Sequence, residues 1–195
     1  AGSTSADNST SADLKSLLVK SGAGLAVGID RKTGTPIWQL PSGMQQGFDP
    51  LILPEEPTPS VIRFDDRDKS LVRSSLADGK TLWRQPLGDI PTQQPLLLGN
   101  QMVVVLPAKG HVLWLDIASG AVRDGLDLKW PLAGTVLSSQ NNQTLFVPAD
   151  QSVLFILQAE PKACLRSVYM GHKKGTLKAR PVRSGRFLIF PEQVG

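Results

Sequence analysis

The residues equipped for chemistry are few. Asp65, Asp66 and Asp68 place three carboxylates within four positions, a density at which oxygen ligands can gather around Ca²⁺. Arg63, Arg67 and Lys69 interleave with them and no glycine-containing calcium loop follows. The sequence therefore reads as a solvated hairpin tip with exposed ion pairs. His111 opens an apolar run, His172 sits in the turn Gly171-His-Lys-Lys-Gly175, and neither has a thiol or acidic partner at zinc-ligand spacing. Cys164 is the only thiol, which excludes a disulfide framework and a Cys-rich zinc module. No G-x-S-x-G or other nucleophile constellation accompanies it. Gly22-Ala-Gly24-Leu-Ala-Val-Gly28 approaches a dinucleotide fingerprint, but its last spacing is one residue too long. Asp30 to Gly34 then reads as a turn where a helix should begin. Asn8-Ser-Thr10 and Asn142-Gln-Thr144 match a glycosylation sequon, and Asn142 is read as a turn residue. No catalytic, metal-binding or cofactor-binding residue is assigned, and no cofactor is expected.

Charge supplies one further candidate. The chain of 195 residues carries a net +4, yet residues 162–186 hold Lys162, Arg166, Lys173, Lys174, Lys178, Arg180, Arg183 and Arg186 with no acid, leaving −4 on the rest. Such asymmetry marks a surface that attracts nucleic acid, anionic lipid or acidic polysaccharide. Lys173, Lys174, Lys178, Arg180 and Arg183 are the binding candidates. Tyr169 is the only aromatic residue before them in the segment, whereas single-strand binders alternate cations with several stacking rings. Polyanion contact is expected to be weak and salt-sensitive.

The elements that must position these groups are short. Residues 1–16 hold small and polar side chains until Leu14 and are read as a disordered linker or expression scar. From Leu17 onward, apolar runs at 25–27, 51–53, 96–98, 102–106, 112–115, 145–147, 153–157 and 187–190 are each bounded by Gly, Pro, Asn, Asp or Ser. That is strand-and-turn punctuation rather than a helical period. No run approaches the ~18 apolar residues of a membrane-crossing helix.

Repetition decides among the all-β architectures. Gly28-Ile-Asp30-Arg-Lys-Thr33-Gly34-Thr-Pro-Ile-Trp38 recurs as Arg73-Ser-Ser75-Leu-Ala-Asp78-Gly79-Lys-Thr-Leu-Trp83 and as Trp114-Leu-Asp116-Ile-Ala-Ser119-Gly120-Ala-Val-Arg-Asp124. A weaker copy runs from Ile156 to Arg166, without the Gly and the Trp. Gly34, Gly79, Gly120 and Lys162 are spaced by 45, 41 and 42 residues. Pro50-Leu-Ile-Leu53 and Pro95-Leu-Leu-Leu98 keep the same register, each sixteen residues after its glycine. A period of this length with about four strands per unit is that of a β-propeller blade. The chain is expected to be all-β, with β-propeller-type repeats of four-stranded antiparallel blades over residues 17–195. About four repeats (17–60, 61–107, 108–149 and 150–195) leave the ring incomplete, four-bladed or shared with other chains. Asp124 and Arg166, standing where a Trp is expected, predict looser or modified joints there.

Asp30, Gly34, Trp38, Gly79, Trp83, Asp116 and Gly120 together resemble the tryptophan-docking repeat of the pyrroloquinoline-quinone-like propellers, from about residue 25 to residue 191. That family includes quinoprotein dehydrogenases and non-catalytic envelope proteins. Its catalytic members carry adjacent cysteines and a calcium held by Glu and Asn beside a catalytic Asp, and no counterpart of these is found here. The resemblance thus implies a non-catalytic scaffold that binds protein partners, extracytoplasmic in the periplasm or cell envelope, and either oligomeric or part of a longer chain or assembly. The alternatives are a quinoprotein dehydrogenase fragment whose active site lies elsewhere, and a polyanion-binding module built on 162–186.

Overall fold

The computed structural model describes residues 17–22, 24–45, 47–54, 58–171, 181–185 and 187–191. The expected linker at 1–16 lies outside them. Strands β1 (Leu17–Gly22), β2 (Gly24–Asp30) and β3 (Pro36–Gly43) form a first antiparallel sheet. The second comprises β4 (Leu51–Leu53), β5 (Ser60–Asp65), β6 (Ser70–Ser75) and β7 (Thr81–Pro86). The third comprises β8 (Leu96–Leu98), β9 (Gln101–Leu106), β10 (His111–Asp116) and β11 (Val122–Asp127). The fourth comprises β12 (Leu137–Ser138), β13 (Thr144–Ala149), β14 (Val153–Gln158) and β15 (Ala163–Tyr169). A hairpin of β16 (Val182–Ser184) and β17 (Phe187–Ile189) follows. The three four-stranded sheets, with a three-stranded sheet before them and a hairpin after them, form a propeller-like fold whose ring is not closed. Sheet membership is out of phase with the sequence repeats: β4, inside 17–60, pairs forward with β5.

The turn chemistry explains the period. In the turn after β2, Asp30 Oδ1 accepts the Lys32 N–H at 2.7 Å and Gly34 N–H donates to Asp30 O at 2.7 Å, with Gly34 at φ +73°. In the turn after β10, Asp116 Oδ1 accepts the Ser119 N–H at 2.8 Å and Gly120 N–H donates to Asp116 O at 2.8 Å, with Gly120 at φ +72°. A left-handed residue at this position is what glycine supplies without steric cost. Immediately beyond the turn, all four sheets share a β-bulge at the same register, at Gly28/Ile29, Arg73/Ser74, Trp114/Leu115 and Ile156/Leu157, and the first sheet has a second at Gly24/Leu25. The cross-strand partners beside the bulge are Gly28 and Trp38, Arg73 and Trp83, Trp114 and Asp124, Ile156 and Arg166. The fourth copy thus keeps the register of the others without their glycine.

Cores lie between sheets rather than within them. Side chains alternate across each second strand, so Ile62 and Phe64 of β5 join Trp83, Met102, Val104 and Leu106 in the seam between the second and third sheets. Val103 and Val105 of β9 join Trp114, Leu145, Val147, Ala149 and Leu157 in the next seam. The first seam holds Ala26, Trp38, Val61 and Leu76, with Leu40 against them, among the described residues.

The joint following Asp124, expected to be looser or modified, is modified. Trp114, the cross-strand partner of Asp124 and therefore on the same face, is 1% exposed and packs into the third seam. The aromatic mass has moved one strand over.

Candidate functional site

Two seams are locked by an indole seated on the next sheet's turn. Trp38 Nε1–H donates to Leu76 O at 2.8 Å, and a Cβ on Gly79 would lie 2.9 Å from Trp38 Cγ. Trp83 Nε1–H donates to Ile117 O at 3.0 Å, and a Cβ on Gly120 would lie 2.6 Å from Trp83 Cε3. Only glycine lets the ring lie this close to the turn. Arg73, opposite Trp83, donates to Ser60 Oγ at 2.7 Å and to the same Ile117 O at 3.0 Å. Gly34 has the same conformation, but no atom of the described residues lies within 4 Å of its would-be Cβ.

These seams hold in register the loops that lead into β4, β8 and β12. Between the loops lies an open cleft of about 460 Å³, lined by Phe48, Asp49, Thr92, Gln93, Gln94, Pro95, Leu96, Thr135, Val136 and Leu137. Gln93 fixes one side: its Oε1 accepts the Val136 N–H at 2.6 Å and its Nε2 donates to Val136 O at 3.4 Å, so the amide side chain imitates a strand partner. Gln94 fixes the other, Nε2 donating to Asp49 O at 2.8 Å. The consecutive pair Gln93-Gln94 thereby ties the third sheet to the fourth and to the second. Ile52 and Leu97 occupy matching positions on β4 and β8, strands that these loops lead into, and are each 40% exposed. The arrangement is an open groove lined by polar and apolar side chains in similar measure, with amide groups clamped to backbone at its walls. The sequence reading missed Gln93 and Gln94, whose signal was two amides directly before the Pro95 landmark.

Of the sequence-predicted residues, Lys173, Lys174, Lys178 and Arg180 lie outside the described residues, and Arg183 is exposed on β16. Asp30 and Asp116 cap their turns. His111 Nε2 lies 3.7 Å from Asp127 Oδ2 on the partner strand. Cys164 is exposed on β15. Asn142 is in a turn at φ +56°. No group of three metal-ligating side chains occurs among the described residues.

The acidic cluster departs from the hydrated tip that the sequence suggested. Asp65 is fully buried. Arg67 Nη2 and Arg84 Nη2 donate to its Oδ2 at 2.7 and 2.9 Å, and Arg84 Nη1 also meets Asp68 Oδ2 at 2.6 Å. Burial pushes the Asp65 carboxyl up, but the guanidinium hydrogen bonds from Arg67 and Arg84 outweigh it and hold the group well below the ordinary carboxylate range. Burial likewise lowers Arg63, which is 3% exposed. The reason for the departure is register: Arg63 and Asp65 share the buried face of β5 with Val61.

Comparison with known proteins places this geometry. A family model described as "Outer membrane protein assembly factor BamB" matches residues 22–188. The structure of BamB from Moraxella catarrhalis is similar, with a TM-score of 0.68 at 15% identity, over 89% of this chain and 54% of that one. KlHsv2 with a loop replaced by a Gly-Ser linker gives 0.63 at 11% identity, over 86% and 55%. A quinohemoprotein alcohol dehydrogenase from Pseudomonas putida HK5 gives 0.59 at 10% identity, over 80% and 33%. The chain therefore spans about half the length of the first two and a third of the last. No curated sequence matches the chain.

Proposed function

Since the chain belongs to the outer membrane protein assembly factor BamB family, we propose that it is a non-catalytic propeller scaffold that holds a protein partner in the periplasm or cell envelope, contributing to outer-membrane protein assembly. The observation that carries this reading is the groove formed by loops of three sheets, with its rim amides locked to backbone and Ile52 and Leu97 exposed on the strands two of those loops lead into. A groove whose walls are already clamped by hydrogen bonds needs little ordering on association, and so favours a specific protein contact. Likeness to a quinohemoprotein dehydrogenase over 80% of the chain supports a second reading, a dehydrogenase fragment that completes its site with other segments.

The test is capture from a source envelope extract by the wild-type chain and by Leu97→Asp and Thr92→Lys variants, at low and high salt, read by mass spectrometry. A defined protein retained at high salt by wild type and lost by both variants supports the scaffold. Recovery only of nucleic acid or acidic polymer at low salt overturns it in favour of the basic segment 162–186. Saturable uptake of pyrroloquinoline quinone with Ca²⁺, followed by absorbance, overturns it in favour of the dehydrogenase reading.

A further inference from the structure

The three seams are built differently in one respect. Position for position, Val61, Arg63 and Asp65 of β5 correspond to Met102, Val104 and Leu106 of β9 and to Leu145, Val147 and Ala149 of β13. In the second and third seams all of these are buried and apolar. In the first seam only Val61 is apolar, and Arg63 and Asp65 are 3% and 0% exposed. Burying charge where an apolar pair would fit contributes little to stability, so the substitution weakens this seam relative to its neighbours.

The ion pairs of this network lie on one side: among the described residues, the partners of Asp65, namely Arg63, Arg67 and Arg84, lie in the second sheet or its β5–β6 turn. Across the seam run the Trp38 indole bond to Leu76 O, a 3.3 Å contact from Arg63 Nη1 to Pro41 O, the Asp66 N–H to Ser42 O at 2.8 Å and the Gln45 N–H to Asp66 Oδ2 at 3.3 Å. Arg63 Nε is buried without a hydrogen-bond partner, and parting the sheets would hydrate it. Separation therefore leaves the ion pairs of Asp65 with Arg63, Arg67 and Arg84 whole.

We propose that the seam between the first and second sheets is a reversible hinge, along which the first sheet swings away while the second, third and fourth remain packed. The hinge is set by Arg63 and Asp65, not by the first sheet's position in the arc.

Hydrogen–deuterium exchange of the full chain, read by mass spectrometry, tests this. Amides of β2 and β3, whose sheet loses its packing partner when the seam opens and then frays, should exchange about tenfold faster than those of β9 and β10, and also faster than those of β14 and β15, in the last of the four-stranded sheets. In the variant R63V/D65L, which copies β9, exchange in β2 and β3 should slow about tenfold while β9 and β10 are unchanged. Should that double variant not fold, Arg63→Met, which leaves Asp65 with Arg67 and Arg84, should slow β2 and β3 in the same sense. Equal exchange of the first and fourth sheets, or β2 and β3 rates that the folded variant leaves unaltered, would overturn the proposal.

Discussion

Trp114 and Asp124 face each other across β10 and β11, and the indole of one occupies the seam that the other's position fills with Trp38 and Trp83 in the first two sheets. The two arrangements differ in their polar atom. Trp83 Nε1–H donates to Ile117 O, whereas Trp114 Nε1 is buried with no hydrogen-bond partner among the described residues.

That difference predicts opposite responses to loss of the N–H. Trp83→Phe gives up a buried hydrogen bond and should cost about 1 kcal/mol more than Trp114→Phe, which removes an unsatisfied donor. Trp114→Ala should cost about 3–5 kcal/mol through the cavity it leaves. Urea midpoints at constant m-value provide the measurement, and equal costs for the two Phe variants would refute the assignment.

The glycines predict a second contrast. Gly34→Ala meets no atom of the described residues within 4 Å and should pay only the left-handed backbone cost, about 1 kcal/mol. Gly120→Ala adds a Cβ 2.6 Å from the Trp83 ring and should lose a further 1–3 kcal/mol, roughly. Thermal unfolding of both variants separates the two costs.

Asp65 sets a pH dependence. Its carboxyl titrates lower in the folded chain than in the unfolded one, so its contribution is complete above the unfolded value of about 4 and is lost as pH falls toward the folded value. Wild type should therefore lose stability progressively below about pH 4. Asp65→Asn should be destabilised by about 3 kcal/mol at neutral pH and show a shallower acid decline. Denaturant titrations between pH 2 and 7 would show whether the two stability curves converge.

Gln93 links the groove to function. Gln93→Ala leaves the Val136 N–H unpaired, which should cost about 1–3 kcal/mol of stability. It should also weaken partner capture while leaving the indole fluorescence of the Trp38 and Trp83 seams unchanged. Retention of wild-type capture would show that the groove wall does not need this clamp.

What the sequence revealed follows the range of the interactions involved. The Asp30-to-Trp38 and Ser75-to-Trp83 units were legible because a turn, its glycine and the ring that follows are local in sequence. The fourth unit was legible only through spacing, since neither its glycine nor its ring survives. Trp114 as a replacement ring was not legible, because a cross-strand partner is defined only once the register is known. Asp65 was misread for a related reason: a run of charges reads as a hydrated tip until strand alternation assigns its first members to a buried face. Gln93 and Gln94 act between sheets, through contacts 43 to 45 positions away, a distance at which two amides carry no local signature.

The bulge shared by all four sheets bears on how such chains change length over evolutionary time. In the two sheets that keep both residues, four positions always separate the turn glycine from the ring, whereas the connections between sheets vary enough to give spacings of 45, 41 and 42 residues. One residue deleted from β3 or β7 would move its ring to the opposite side of the sheet and out of the seam, because side chains alternate along a strand. The same deletion in a connecting loop would leave every seam intact. Insertions and deletions tolerated by descendants of this chain should therefore accumulate in the connections around the groove, the part of the surface where a new partner would be met, while the turn-to-ring count stays frozen.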